Sequence, residues 1–252
     1  MKHYIAFLAK KLTRNKSDKQ KQLISSNLDF QNPFDIKKTI FHNLKNLTIF
    51  DVGAYHGEIA LFYNEIFPNS QIYCFEPFTE SFKELENRTM KLPNISCFDF
   101  AFSNACGDTS FSINSFSPTN SILATHAEGN KSWDNRSLLD TKEVTTVKTN
   151  TIDNFIEESK IPKINILKLD VQGAEHLVLE GTKKSLSNGI IDLIYLEIIL
   201  LPTYEKQTSL ADILLFLKNY GFSLYNFYNF SHTENGVLRQ VDAIFIKSTN
   251  FE

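Results

Sequence analysis

One stretch near residue 50 constrains the fold of this chain more than any other. Leu47 to Val52 is a nearly continuous apolar run with β-branched residues, which is typical of a strand buried on both faces of a parallel sheet. Gly53 and Gly57 predict a tight turn after it, and helical spacing follows from Ile59 to Phe67. This order places the side chain of Asp51 at the carboxyl edge of the sheet, where open α/β sheets bind their ligands.

The same turn indicates which ligand that edge can take. The dinucleotide fingerprint G-x-G-x-x-G, aligned from Gly53, requires glycine where this chain has Tyr55 and Glu58. A tyrosine side chain blocks the close approach of a pyrophosphate, and the charge of a glutamate repels it. A ligand with a carboxylate for the helix amides and an ammonium for Asp51 fits better, and S-adenosylmethionine (SAM) carries both. The other interpretation is a βα turn that binds nothing.

The rest of the chain repeats the alternation of strand and helix. Thr79 or Ser81 is expected to cap the second helix, Thr151 or Asp153 a later one, and Ser209 the last. Five βα units and a closing strand pair predict an α/β fold with a doubly wound, mostly parallel seven-stranded sheet and one antiparallel edge strand. The strands are predicted at 47–52, 71–75, 95–100, 164–169, 191–196, 222–227 and 241–246.

Acidic residues stand at or near the ends of four of these strands. Glu76 follows the second strand, where a carboxylate can accept hydrogen bonds from both ribose hydroxyls. Asp99 lies one residue before the predicted end of the third strand, and it either reaches the adenine amino group or is solvated. Asp170 ends the fourth strand and Glu197 the fifth, so both carboxylates are expected at the ligand-binding edge.

Two short alternating stretches, 111–113 and 144–148, are expected to pair across a long polar segment. A connection of about thirty residues without structure of its own is unusual in a compact domain and is often a functional lid. Its Trp133, with His126 and Arg136, either contacts an acceptor or belongs to an ordinary surface insertion.

Composition and charge exclude several classes of partner. With 26 basic and 29 acidic residues the net charge is −3, which gives no electrostatic footprint for nucleic acid. Three cysteines without a C-x-x-C spacing argue against a disulfide framework or a zinc site. No stretch is apolar over the ~20 residues that a transmembrane span needs, and no signal peptide is recognisable. We therefore expect a cytoplasmic protein.

Four motifs occur together in the order of a known enzyme family. They are Asp51-Val-Gly-Ala-x-x-Gly57, Phe75-Glu-Pro77, Lys168-Leu-Asp-Val-Gln-Gly-Ala-Glu175 with Val178-Leu-Glu-Gly181, and Val241-Asp-Ala-Ile-Phe245. Over residues 45–247 this set resembles the FkbM family of SAM-dependent methyltransferases. The resemblance implies a class I methyltransferase (Rossmann-like) fold. It also implies O-methylation of a hydroxyl group on a sugar, a glycan or a secondary metabolite, and hence a small-molecule or glycan acceptor.

The resemblance also implies which residues meet the cofactor and the acceptor. Cofactor contacts follow from the first two motifs, and we extend that set to neighbouring positions and to the ends of the third and fourth strands. The acceptor is expected near Glu175 and the strand ends at 170 and 197. The family usually has glutamate where this chain has Gln172, and a neutral amide can bind an acceptor without accepting its proton. The candidate cofactor-binding residues are Asp51, Gly53, Ala54, Tyr55, Gly57, Glu76, Pro77, Asp99, Ala101 and Asp170.

Methyl transfer to an alcohol calls for a general base within hydrogen-bond reach of the hydroxyl. The candidate catalytic residues are Asp170, Glu175, His176 and Glu197, and Asp170 is the first choice, as the base or as the acid that positions the acceptor. His176 titrates in the useful range, but it lies about 100° around the predicted helix from Glu175. The three acids also suit Mg²⁺, although we favour metal-free transfer.

Two other classes of function share this pattern. A non-catalytic SAM- or nucleotide-binding module would keep the fold, and a nicotinamide-dependent oxidoreductase would keep the sheet and Glu76.

Residues 1–21 are strongly basic and either form an amphipathic helix that touches a membrane surface weakly or are solvated. We predict a basic helical segment over 1–42 and a methyltransferase domain over 43–252, with no signal for the oligomeric state.

Overall fold

The computed structural model describes residue 29, residues 31–134 and residues 136–247. The chain divides into two compact units, residues 1–43 and residues 44–252. The described part of the first unit contains helix α1 (Pro33–Ile40), whose N-cap residue Asn32 accepts a hydrogen bond from the Phe34 amide at 3.0 Å. The amphipathic helix expected within residues 1–21, with its membrane contact, lies outside the described residues.

Strands and helices alternate along the second unit. The strands are β1 (Thr48–Val52), β2 (Gln71–Phe75), β3 (Ile95–Phe98), β4 (Ala101–Phe102), β5 (Gly107–Asn114), β6 (Thr141–Asn150), β7 (Ile164–Leu169), β8 (Ile191–Ile199), β9 (Phe222–His232) and β10 (Leu238–Lys247). The helices are α2 (Glu58–Ile66), α3 (Thr79–Thr89), α4 (Gly129–Ser132), α5 (Ile152–Ser159), α6 (Glu175–Glu180), α7 (Lys183–Ser187) and α8 (Leu210–Asn219).

Seven strands form the central sheet, in the order β3-β2-β1-β7-β8-β10-β9. The ladders among the first five are parallel, and β10 runs antiparallel to both β8 and β9. The predicted fold class, an α/β, mostly parallel seven-stranded sheet, is confirmed. The antiparallel strand lies one position in from the edge, because β9 pairs with its outer side.

One large hydrophobic core covers one face of this sheet. Side chains of β1, β7 and β8 meet those of α5, α6 and α8 there. Successive side chains of a strand point to opposite faces, so Asp51 and Lys168, which are register partners on β1 and β7, face away from this core. Members of the core include Phe50, Leu167, Ile194, Phe155, Val178 and Leu217.

The third predicted strand is shorter in the structure than expected. It ends at Phe98, so Asp99 follows the strand instead of lying within it. Residues 101–102 form β4, which belongs to a second sheet of order β4-β6-β5. The predicted pairing of 111–113 with 144–148 is confirmed, within a longer β5–β6 ladder.

Other predicted strand ends and one helix cap are also wrong. The strands predicted at 222–227 and 241–246 are longer and span Phe222–His232 and Leu238–Lys247. The fifth strand was expected to end at residue 196, but β8 continues to Ile199, because β10 extends its ladder and pairs Asp242 with Glu197. Neither Thr79 nor Ser81 caps α3; its N-cap residue is Phe78, which makes no side-chain cap. The expected caps Thr151 and Ser209 are confirmed.

The segment 114–143 has structure of its own, contrary to expectation. It contains a 3₁₀ turn at Ser117–Thr119 and helix α4. Trp133 is only 7% exposed and forms a small core with Leu139, Ile199 and Tyr204. The segment is therefore a folded layer, and Trp133 is one of its core residues.

Candidate active site

The turn after β1 is packed directly against the end of β7. Gly53 has φ +74°, and a Cβ built on it would lie 1.9 Å from the carbonyl oxygen of Asp170. The amides of Gly53 and Ala54 both donate to the carbonyl oxygen of Phe75, at 3.0 and 3.1 Å. Only glycine fits this position, so the turn joins the ends of three neighbouring strands.

Asp51 is fully buried, and its partner is a lysine. Lys168 Nζ lies 2.9 Å from Asp51 Oδ1 and donates to the carbonyl oxygen of Gly53 at 2.8 Å. Burial raises the pKa of Asp51, and the charge of Lys168 opposes that rise. Burial alone would lower the pKa of Lys168, but the charges of Asp51 and Asp170 outweigh it and raise that pKa. Lys168 is thus the cation that pairs with Asp51 in this structure.

Glu76 connects the turn after β1 to the turn after β2. Its carboxylate accepts hydrogen bonds from the amides of Tyr55 and Phe78, each at 2.9 Å. Burial raises the pKa of Glu76 to about 7, although both amides favour the charged form. The neighbouring Pro77 is the second residue after the strand and is partly buried. Glu76 is thus held at the carboxyl edge of β2, as predicted.

Tyr55 links this turn to the 114–143 segment. Its backbone has φ +49°, its ring stacks on His56 with centroids 3.7 Å apart, and its hydroxyl lies 3.0 Å from Ser117 Oγ. The ring is half-buried and leans towards the segment. Gly57, at φ +82°, is the N-cap residue of α2.

Two further predicted cofactor residues, Asp99 and Ala101, differ in their surroundings. Asp99 is exposed immediately after β3. Ala101 is buried in β4, in a small cluster with Phe111 and Val147, against which Phe78 packs. Ala101 is therefore a member of the second sheet.

The acids predicted near the acceptor form a cluster at the ends of β7 and β8. Gln172 Nε2 donates to Asp170 Oδ1 at 2.8 Å and to Glu197 Oε2 at 2.9 Å. Gln240 Nε2 donates to the second oxygen of Glu197 at 2.6 Å. The side chain of Asp170 is 41% exposed, whereas Glu197 is 8% exposed, and burial raises the pKa of Glu197 well above its ordinary value. Asp170 is the accessible member of the cluster.

Glu175 and His176 lie beside this cluster but have other surroundings. Glu175 is buried, and its Oε1 accepts from the amide of Val171 at 3.0 Å, which closes the turn between β7 and α6. Burial raises the pKa of Glu175 to about 7. His176 is half-buried, and burial lowers its pKa. The described residues contain no group of three His, Cys, Asp or Glu side chains placed to hold a metal ion.

Several residues of the site carry little or no signal in the sequence. Lys168 is the exception, because a lysine in a strand that is apolar apart from it and Asn165 indicates a buried partner. Tyr204 and Gln240 enter the cluster from distant loops and strands, and only the fold brings them there. Tyr204 also packs on Gly173, where a Cβ would lie 2.7 Å from its ring.

Comparisons with known proteins find methyltransferases that are similar to this chain. The 2-O-methyltransferase NoeI of Sinorhizobium fredii is 27% identical over 186 residues, 68% of this chain and 71% of NoeI. The hexuronic acid methyltransferase AglP of Haloferax volcanii is 26% identical over 141 residues, 56% of this chain and 52% of AglP. A solved structure of the METTL16 methyltransferase domain aligns with a TM-score of 0.50 at 9% identity, over 85% of this chain and 66% of that one, which supports the fold alone.

The family comparison covers most of the chain. The model of the methyltransferase FkbM domain matches residues 51–224. This range contains the turn after β1, Glu76 and the carboxylate cluster at the ends of β7 and β8. The chain therefore belongs to the FkbM methyltransferase family, as its motifs predicted.

Proposed function

We propose that this protein transfers the methyl group of SAM to a hydroxyl group of a sugar or a related acceptor. The observation that carries the proposal is the contact between the turn after β1 and Asp170, which sets an accessible carboxylate beside the expected cofactor turn. The names of the relatives, a 2-O-methyltransferase and a hexuronic acid methyltransferase, support a sugar as the acceptor class. Family membership favours methyl transfer over both a binding module and a nicotinamide enzyme.

The residues at the first two strand ends fit the cofactor. Glu76 is buried and negatively charged when ionised, and it would accept hydrogen bonds from the ribose hydroxyls. The amides at the start of α2 would favour the carboxylate of the methionine end. Because Asp51 is paired with Lys168, we propose that it acts on the cofactor through Lys168 and the Gly53 carbonyl.

In this proposal, residues of the chain itself orient the acceptor and take its proton. When bound, SAM supplies the methyl group and the sulfonium leaving group. Asp170 would accept the hydroxyl proton, because it is the exposed carboxylate of the cluster. Both oxygens of Glu197 accept hydrogen bonds from side-chain amides, and Glu175 accepts one from the amide of Val171 in the turn between β7 and α6. Both therefore position other groups and are not the base in this proposal.

Replacing Glu76 with glutamine is expected to weaken binding of S-adenosylhomocysteine by at least about tenfold, because hydrogen bonds to a charged group contribute about 1.5–3 kcal/mol. Wild-type binding should also weaken as the pH falls below 7, since the pKa of Glu76 is about 7 and only the ionised form accepts from both hydroxyls. Calorimetry over pH 5.5–8.5 measures both. The matched control is Glu84→Gln on the exposed side of α3, and equal affinities of the two variants would remove the ribose role.

We propose that transfer needs no metal ion, because protein amides already occupy the oxygens of Glu197 and one of Glu175. Initial rates in 5 mM EDTA, about a thousandfold above any trace metal, should stay within about 20% of the untreated rate, since a hard Mg²⁺ ion would need several free oxygens. A rate that EDTA abolishes and added Mg²⁺ restores would contradict this.

The acceptor class is tested with labelled SAM. Free hexoses, glycosides and hexuronic acids are incubated with the enzyme, and methylated products are located by mass spectrometry. Transfer to oxygen on at least one sugar supports the proposal. Binding of S-adenosylhomocysteine without transfer to any hydroxylated acceptor would favour the non-catalytic module instead.

Several expectations from the sequence stay predictions. The described residues contain no helix long and apolar enough to cross a bilayer. Location in the cytoplasm, the membrane contact of residues 1–21, the absence of nucleic-acid partners and the division near residue 42 await direct measurement. We propose that residues 43–252 form the methyltransferase domain.

A further inference from the structure

Gln172 occupies the centre of the carboxylate cluster. Its amide nitrogen lies 2.8 Å from Asp170 Oδ1 and 2.9 Å from Glu197 Oε2, and its amide oxygen lies 3.1 Å from the hydroxyl of Tyr204. Both hydrogens of the amide are thus donated to carboxylates of different strands. Gln172 is 6% exposed, so no solvent replaces these contacts.

The surroundings fix which way this amide points. Tyr204 can donate its hydroxyl hydrogen, which it shares between Gln172 Oε1 and the carbonyl oxygen of Thr119 at 2.8 Å. The reversed amide would turn its oxygen towards two carboxylates and its nitrogen towards a donor, which is unfavourable. The backbone is also held: Gln172 has φ +55°, and its carbonyl oxygen accepts from Ser121 Oγ at 2.8 Å.

In this arrangement one carboxylate oxygen of Asp170 accepts a hydrogen bond from Gln172, and the other is available to an acceptor. Oδ1 is bound to Gln172, while Oδ2 lies 3.8 Å from Lys168 Nζ, beyond hydrogen-bond distance. The two hydrogen bonds from one amide hold the carboxylates of Asp170 and Glu197 at a fixed separation. An ionised glutamate at this position could donate to neither, and a protonated one could donate to only one of them.

We propose that Gln172 is a positioning residue that holds Asp170 and Glu197 together and orients Asp170 so that its Oδ2 is left to take the acceptor proton. This inference rests on the proposed function. It gives the glutamine at position 172, where the family usually has glutamate, a defined part in the reaction.

The charges around Asp170 explain why the site is sensitive to an added negative charge at position 172. Two acids beside it, Glu175 and Glu197, already disfavour a further negative charge, and Lys168 is the cation that offsets them. Three carboxylates within hydrogen-bond distance are not all ionised near neutral pH, and the group then titrates as a unit. The titratable groups that interact electrostatically with Asp170 are Asp51 on β1, Lys168 on β7, Glu175 on α6, Glu197 on β8 and Tyr204 after β8, and Asp242 on β10 acts on Glu197.

The test is the pH dependence of kcat for the Gln172→Glu enzyme, measured on the sugar acceptor from pH 5.5 to 9.5. The added carboxylate should hold a proton within the group, so the acidic limb should move up by more than about one pH unit. Activity should recover at high pH, and Kd for S-adenosylhomocysteine should stay within about threefold. A lost fold would not recover in this way.

A second variant and a control keep the test decisive. Gln172→Met has a similar volume without the bridge, so kcat should fall about tenfold at all pH values while KM for SAM is unchanged. Gln71→Glu adds the same charge at the exposed start of β2 and should leave the profile as in wild type. An unmoved acidic limb in Gln172→Glu, or wild-type kcat in Gln172→Met, would overturn the inference. A wild-type enzyme without methyl transfer would instead defeat the proposed function.

Discussion

Replacing Asp170 with asparagine is expected to lower kcat by about 10²- to 10⁴-fold, which is the usual contribution of a general base. The asparagine keeps the size of the side chain and can still accept the Gln172 hydrogen bond through its oxygen, but it cannot take a proton from the acceptor. Kd for S-adenosylhomocysteine should stay within about threefold, because Glu76 and the turn after β1 are unchanged. Steady-state kinetics and calorimetry on the same preparation measure the two effects.

The matched control for this variant is Asp108→Asn. Asp108 is an exposed carboxylate on β5 of the second sheet, so its loss should change neither kcat nor Kd measurably. If Asp170→Asn loses S-adenosylhomocysteine binding in proportion to kcat, Asp170 is a cofactor-binding residue. The proposed mechanism would then have to place the base elsewhere in the cluster.

Replacing Lys168 with methionine is expected to destabilise the protein by about 3–5 kcal/mol at pH 8, because it leaves Asp51 charged, buried and without a partner. The loss should shrink on acidification. Without Lys168 the pKa of Asp51 in the folded state rises further above its value in the unfolded chain, so stability in the variant falls as pH rises between those two values. Urea unfolding at pH 5 and pH 8 measures the difference.

A double variant separates the charge from the shape of the lysine. Asp51→Asn combined with Lys168→Met removes both charges, and it should recover most of the stability lost in the single variant. Lys163→Met is the control, because the Lys163–Asp192 pair is partly exposed and should contribute less than about 1 kcal/mol. Equal losses for Lys163→Met and Lys168→Met, or a loss that does not vary with pH, would contradict this account.

Local chemistry explains why much of the fold could be predicted from the sequence. The strands at 71–75 and 164–169 are mostly apolar and bounded by clear breaks, and the structure has them at those residues. Thr151 and Ser209 satisfy amides of their own helices, so the cap depends on neighbours within three residues. Such features need no information from the rest of the chain.

Features that depend on distant partners could not be predicted in the same way. The extension of β8 to Ile199 depends on β10, some forty residues later. The burial of Trp133 depends on Tyr204, and the arrangement around Gln172 joins residues from β7, β8 and the loop after it. The sequence predicts Glu197 near Asp170 at one sheet edge, but the amide of Gln172 that joins the two carboxylates follows only from the folded chain.

The backbone contact between Gly53 and Asp170 has a consequence for how enzymes of this shape can diversify. A side chain at position 53 would place its Cβ 1.9 Å from the carbonyl oxygen of Asp170. The turn after β1 and the end of β7 therefore cannot change their backbones independently. New acceptor preferences must therefore arise in parts of the chain that leave this junction untouched. The folded layer at 114–143 and the stretch after β8 are such parts, and chimeras that exchange them should keep the methyl donor while changing the recipient.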